Sequence, residues 1–582
     1  MENSQHSASY RTHPVHSFSW LNIQIGHVSL AWHLAHHLAE ATEPQQIVID
    51  GFFGVQWPVF IEHLQVALAH AHVDVGWFST EQCFLPAEQI NSLLAVSLTS
   101  DPVFGRLFRG HLEDLWDTEQ TEALKHAIQK RTQHTIVYGF GASLVARNDL
   151  TVYLDVPKDR GQQLAAQALV CNVGARETEE FGLMYKRLYF VDWPMLNRIK
   201  RALLPQLDIF VDAADSATPL WINGAAFRDT LDKLAHQPFR VKPWFAPGPW
   251  GGQWMKEQFG LPPEQPNYAW SFELISPENG LLLGNGEQFL ECAFDYLLWW
   301  RTHAVLGVGI AARYGSYFPI RFDYLDTMEG TNLSCQVHPR VDYIRDEFGE
   351  PFTQDETYYI VACKPGARVF LGLHDDTNIE DFQADAVSAR DHAVPFDIRK
   401  YVNSENSEPH NLFLIPNGTV HCSGANNLVL EISATPYIYT FKIYDYLRSD
   451  LTGKLRHVHL AHAFANIDET RRASWVRAHL CPKPIVLRSG KGWQECCIGN
   501  IDQLFFSIHR LEFSQVIEDD TQGRFLVLNM VEGECCEIQS AGNESVELHF
   551  AESIVIPASV EHYTLHNVGN APCKVVKAFV KN

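Results

Sequence analysis

At 582 residues the chain is too long for one hydrophobic core and is expected to fold as several domains. Its composition, 46% apolar and 20% charged, is that of a soluble protein, and no segment approaches the ~18 uninterrupted apolar residues of a membrane helix. A formal charge of −24 argues against nucleic acid as a partner, while a few local cations would still suffice for one phosphate.

Residues 1–17 are polar and rich in His and Ser, with no apolar signal core behind a basic start, so a flexible N-terminus and a cytoplasmic location are expected. Residues 18–215 alternate helix and strand signals, as an α/β domain does. Gln46 to Ile49 forms a short apolar strand that runs into Asp50-Gly51, and Phe60 to Ala71 has amphipathic helical spacing. Ile136 to Tyr138 and Thr151 to Asp155 predict further buried strands. Residues 216–240 read as a linker.

A Pro- and Trp-rich stretch then leads into short alternating runs bounded by Gly, Pro, Asn and Asp, among them Val369 to Leu373, Asn411 to Ile415 and Leu428 to Ile432. Such runs predict an all-β barrel or sandwich with a few helices over 241–484. From 485 to 582 a second all-β domain is expected. Twelve cysteines without a CxxC pair do not make a disulfide framework, and the vicinal pairs Cys496-Cys497 and Cys535-Cys536 read as buried reduced thiols.

The chemistry concentrates in three segments of the first β domain. Leu333-Ser334-Cys335-Gln336-Val337-His338-Pro339 is a strand in which Gln336 and His338 share a face. Glu356 stands at the mouth of the next strand. Pro416-Asn417-Gly418-Thr419-Val420-His421 is a tight turn that delivers a histidine to a strand start. Together they give a mixed N/O set with room for water or substrate, as catalytic zinc requires.

Pro416-x-Gly418-x-x-His421 and Gln336-x-His338, preceded by Leu-Ser and followed by Pro, resemble the two cupin motifs of type I mannose-6-phosphate isomerases. Trp250-Gly251-Gly252, Tyr314 to Pro319 and Thr440 to Arg448 extend the resemblance over roughly residues 240–582. It implies a double cupin (jelly roll) with one Zn2+ per chain in the first cupin, or another divalent metal, held by Gln336, His338, Glu356 and His421. The implied reaction is aldose–ketose isomerisation of mannose 6-phosphate and fructose 6-phosphate through an enediol intermediate. Glu431 and Lys442 fall at catalytic positions, and Ser334 and Arg448 at positions that contact substrate phosphate. The second cupin keeps only a worn turn, Pro557 to His562, and is expected to hold no metal.

Three positions depart from the family pattern: Asp323 and Gln354 replace lysines, and Lys442 replaces an arginine. A carboxylate beside a phosphate repels it by ~1–4 kcal/mol at effective dielectrics of 80 to 20, so Arg321 or Lys364 would have to compensate, or the sugar differs. In the N-terminal domain, Asp50 to Pro58 resembles the phosphate loop of a uridine-kinase-like P-loop domain. Gln56, Trp57 and Pro58 stand where Gly, Lys and Ser/Thr are needed, so an inactive domain is expected. Two alternatives follow: an isomerase of a different or unphosphorylated sugar, and a non-catalytic sensor of sugars or nucleotides. Neither nucleic acid nor membrane is an expected partner, and a homo-oligomer is compatible with the sequence.

Overall fold

The computed structural model describes residues 10–449 and 453–581. The chain divides into two compact units, one of residues 15–234 with 277–301, the other of the described residues in 1–14, 235–276 and 302–582. None of the described helices is long and apolar enough to cross a membrane.

The first unit is built on a seven-stranded sheet of β1 (Gln24–Ile25), β2 (Gln46–Gly51), β3 (Gly76–Ser79), β4 (Thr135–Tyr138), β5 (Leu150–Asp155), β6 (Ile209–Asp212) and β7 (Leu220–Asn223). Its order is β1-β7-β6-β5-β2-β4-β3, with β3, β4, β2, β5 and β6 parallel. Parallel strands are covered on both faces, which is why β2 and β5 are almost wholly apolar and fully buried. Helices Gly26–Glu40 and Trp57–His70 lay Leu30, Leu34, Phe60 and Leu64 on Ile47 and Ile49.

Two boundaries read from the sequence are corrected. Residues 216–234 are not a linker: they form β7 and helix Gly224–Leu234, which bury Trp221, Ile222, Phe227, Leu231 and Leu234. Residues 277–301 leave the β region to join the first unit, where strand Gly280–Gly284 pairs with Val15–Ser17 and Tyr296 packs edge-on against Phe227. Of the N-terminus expected to be flexible, residues 1–9 lie outside the described residues, whereas Tyr10 stacks on Phe259 and Arg11 pairs with Glu552.

The other unit holds two antiparallel two-sheet barrels, as the double-cupin expectation required. In the first, β8 (Trp244–Ala246), β9 (Trp270–Leu274), β10 (Ile320–Asp326), β12 (Glu356–Cys363), β15 (Leu412–Ile415) and β17 (Asn427–Ala434) form one sheet in the order β15-β12-β17-β10-β9-β8. The facing sheet is β14-β13-β16-β11-β18, made of β11 (Cys335–Val337), β13 (Arg368–Leu373), β14 (Val402–Asn406), β16 (His421–Ser423) and β18 (Phe441–Tyr444). The helix read over Leu455 to Ala465 starts later, at Leu460.

The second barrel has a six-stranded sheet of β19 (Ile485–Gly490), β20 (Trp493–Gly499), β21 (Phe506–Phe513), β28 (Cys573–Val580), β23 (Leu526–Glu532) and β26 (Ser553–Ile556), in that order. Against it lies the sheet β22 (Val516–Asp520), β27 (His562–Asn567), β24 (Cys535–Ser540) and β25 (Val546–His549). Its apolar core includes Leu511, Leu528, Met530, Ile538 and Leu565. Tyr324 of β10 donates a 2.8 Å hydrogen bond to Asn529 of β23, tying one barrel to the other.

Candidate metal centre

The ladder brings the sequence-selected residues together. Gln336 on β11 is paired with His421 on β16 and with Lys442 on β18, and residues opposite each other across a ladder project to one face. On the facing sheet Glu431 of β17 is paired with Asp323 of β10 and Tyr358 of β12. Glu356 shares the face of Tyr358, two residues on. The turn that delivers His421 is held in place locally. Gly418 adopts φ +83°, its N–H donates to the His338 carbonyl at 2.9 Å, and Asn417 donates through N (2.9 Å) and Nδ2 (2.8 Å) to Asp355.

His338 Nε2 lies 2.5 Å and His421 Nε2 3.2 Å from Glu356 Oε2, all three side chains being fully buried. Each imidazole is oriented from behind: Nδ1–H of His338 donates to the Tyr439 carbonyl (3.1 Å) and Nδ1–H of His421 to the Thr419 carbonyl (2.9 Å). Both Nε2 lone pairs therefore face inward, the arrangement that outer-shell partners give metal-ligating histidines. Burial pushes the His338 imidazolium pKa down and favours the neutral, ligating form, Glu356 opposing only in part. For Glu356, burial pulls upward, but His421 and His338 outweigh it and hold the carboxyl well below its usual range. The Gln336 amide approaches His421 Nε2 at 3.3 Å, and turning the amide presents its oxygen instead.

Two observations test whether a divalent cation fits. Glu356 Oε1 is buried with no hydrogen-bond partner. Moreover, three buried carboxylates, Glu356, Glu431 and Asp323, face one buried guanidinium, Arg321. A divalent ion among these N and O donors satisfies the orphaned oxygen and balances the two remaining negative charges, so the residues fit a metal.

Arg321 is the residue whose role sequence reading understated. It bonds Glu431, reaches Asp323 at 3.4 Å, and donates to the Gln354 amide oxygen at 2.8 Å, with that amide oriented to donate to Pro436 O. Its charge is committed inside the barrel and is not available to a phosphate. Lys364 does not compensate either, since it pairs with Glu329 on the surface at 2.6 Å. Burial raises the Glu431 carboxyl; Arg321 opposes this, and Glu356 and Asp323 reinforce it. Lys442, half-buried beside this face, has no hydrogen-bond or ion-pair partner, and burial together with Arg456 pushes its ammonium down to about 8.

Ser334 and Arg448 meet at one carboxylate. Asp445 Oδ1 accepts from Ser334 Oγ (2.7 Å) and Arg448 Nη1 (2.9 Å), and Arg456 Nη1 lies 2.7 Å from Oδ2. A cavity of about 150 Å³ opens there, lined by Arg390, Arg448, Arg456 and His457 with Asp445. Asp445 and Arg456 were missed as functional residues, although both lie in segments that carry the family resemblance. In the second barrel His562 is exposed and belongs to no metal-ligating group, as its worn turn implied.

The first unit holds a larger cavity, about 720 Å³, at the carboxyl ends of β2, β3 and β4. Gln56, Trp57, Thr80, Tyr138, Phe140 and Asn172 contribute to its wall. The Trp57 indole lies over the glycine turn, where a Cβ on Gly51 would meet it at 3.0 Å.

Comparison with known proteins gives two separate results. Residues 29–236 match a family model described as a domain of unknown function (DUF8485). The chain is also 28% identical over 233 residues to the probable mannose-6-phosphate isomerase GmuF of Bacillus subtilis (strain 168), covering 39% of this chain and 67% of that protein. It is 25% identical over 303 residues to mannose-6-phosphate isomerase ManA of the same organism, covering 52% and 87%. Among solved structures, the mannose 6-phosphate isomerase from Bacillus subtilis aligns with 59% of this chain and 99% of its own, at 21% identity and a TM-score of 0.48.

Proposed function

We propose that the chain is a metal-dependent isomerase that interconverts mannose 6-phosphate and fructose 6-phosphate through an enediol. The observation that carries this reading is the pair of buried imidazoles, each with Nδ1–H committed to a backbone carbonyl and Nε2 turned toward Glu356. Gln336, His338, Glu356 and His421 would hold one zinc ion. When bound, that ion supplies Lewis-acid polarisation of the sugar's oxygens.

The remaining work falls to the chain's own side chains. Lys442 supports a role as the cation facing the reacting oxygens, in the place of the family's arginine, because nothing in the barrel neutralises it. Glu431 would orient the site or move the proton between C1 and C2, with Arg321 and Ser433 fixing its carboxyl. The guanidinium-lined cavity at Asp445 supports a phosphorylated sugar, with Ser334 and Arg448 at its phosphate.

Zinc-loaded protein should interconvert the two hexose phosphates in a coupled assay and leave free mannose and fructose untouched. Turnover of the free sugars alone would move the assignment to an unphosphorylated substrate. No turnover of any hexose would leave the sensor reading.

The 720 Å³ cavity favours a second reading, confined to the first unit: that it binds a small molecule and regulates. Five parallel strands with a glycine turn at the end of the central one support the inactive P-loop-like reading. Gln56, Trp57 and Pro58 leave that turn neither the lysine nor the hydroxyl that phosphoryl transfer needs.

A further inference from the structure

The four-stranded sheet of the second barrel carries another group of metal-ligating side chains, which the isomerase reading does not use. β24 and β25 run antiparallel and place Cys535 directly opposite His549, so both side chains leave one face. Glu547, two residues before His549, shares that face. Cys535 Sγ lies 3.9 Å from His549 Nε2, which is 3.2 Å from Glu547 Oε2. The three ligand atoms are all within 4.8 Å of one another. Sequence reading had taken Cys535 and Cys536 together as inert buried thiols. The structure separates them: Cys536 points into the apolar core, while Cys535 turns toward His549.

A second layer fixes this group. Arg11 donates to Glu552 through Nε (3.0 Å) and Nη2 (2.8 Å) and to the Glu547 carbonyl (2.5 Å), and the His549 N–H donates to Glu552 at 3.0 Å. Backbone and side-chain bonds thus pin the strand end that carries two of the three donors, and Arg11 neutralises Glu552. It approaches the Glu547 carboxylate only at 3.9 Å, leaving that group able to bind a cation.

We propose that Cys535, Glu547 and His549 form a second, peripheral zinc site that staples the edge strand β25 to β24, water completing the coordination. A thiolate, an imidazole and a carboxylate suit zinc or cobalt and disfavour calcium or magnesium, which take oxygen donors. On binding, the Cys535 thiol releases its proton to solvent as the sulfur–metal bond forms, and no redox partner is required.

Cobalt(II) distinguishes this site from the barrel centre, because only a cysteine gives thiolate-to-cobalt charge-transfer absorption in the near ultraviolet, and Gln336, His338, Glu356 and His421 include no sulfur. Metal-stripped full-length protein titrated with cobalt should bind two equivalents, one of them with that band. Cys535→Ser and His549→Ala should each lose the band and one equivalent while keeping the sulfur-free equivalent, which also reports that the variant is folded. His338→Ala should do the reverse. A single equivalent with the band would uphold this site and count against the barrel centre. Absence of the band from folded protein, or its persistence in Cys535→Ser, would overturn the proposal.

Discussion

Each residue of the barrel centre is selected by what its second atom does. His338 and His421 are fit to ligate because their Nδ1 protons are already engaged, and Glu356 because one of its oxygens has no other partner. Replacing His338 or Glu356 with Ala is therefore expected to leave purified protein without metal by elemental analysis and to lower kcat/KM by at least about 100-fold, beyond what outer-shell changes cost. Metal retained in both variants would show that the ligands are wrong. Lys442 makes a different prediction. Its ammonium titrates at about 8, so if the cation is needed, kcat/KM falls as pH rises through that value. Lys442→Met should lose about 10²–10⁴-fold, and Lys442→Arg should keep activity while removing the alkaline fall, because a guanidinium stays charged. A wild-type profile flat to pH 10 would exclude this role.

Between elements, charge networks replace apolar packing at two places. Asp445 joins Ser334 before β11 to Arg448 and Arg456 after β18, so Asp445→Asn should loosen the whole anion pocket. The expected result is a KM for sugar phosphate raised about 10-fold with kcat little changed, the signature of lost uniform binding. The second barrel has a comparable hub inside. Glu495 binds Arg488 (2.5 Å), His509 (2.7 Å) and Lys577 (2.7 Å), and Asp519 binds Arg488 and Lys577 from the other sheet. Burial raises the Glu495 carboxyl, but the His509 bond and Lys577 outweigh it and depress the pKa. A depressed carboxylate contributes stability that is complete above its unfolded value of about 4.3 and is lost as pH falls toward the folded one. Glu495→Gln should cost about 3 kcal/mol at pH 7 in urea unfolding, and the gap from wild type should narrow below about pH 4. A constant gap would mean the pairing contributes nothing.

At the scale of the whole molecule, the chain enters the first unit twice. Leu281, Leu282, Leu283, Leu290, Leu297 and Leu298 are buried in segment 277–301, which belongs with residues 15–234. A fragment starting at residue 235 would carry that segment without its partners. It should aggregate or bind a hydrophobic dye, whereas the full chain should not, a difference that gel filtration and dye fluorescence would detect. A monodisperse, dye-silent fragment would show that the segment packs on the barrels instead.

The sequence alone determined the α/β start, the two β barrels and the four expected metal ligands, because these depend on local periodicity and on short motifs. Strand alternation is written into neighbouring residues, and Gln336-x-His338 and the turn at Pro416 to His421 carry their own geometry. What only the tertiary structure decided depends on residues far apart in the chain. Ladder register alone sets Glu431 against Asp323 and lets Arg321 serve both, so that the two replaced lysines surround an internal guanidinium rather than a lost phosphate site. The same holds for Asp445 as a hub, for residues 277–301 returning to the first unit, and for Cys535 meeting His549 across a hairpin. Spacing along a strand fixes which side a residue faces; it does not fix which distant residue it meets there.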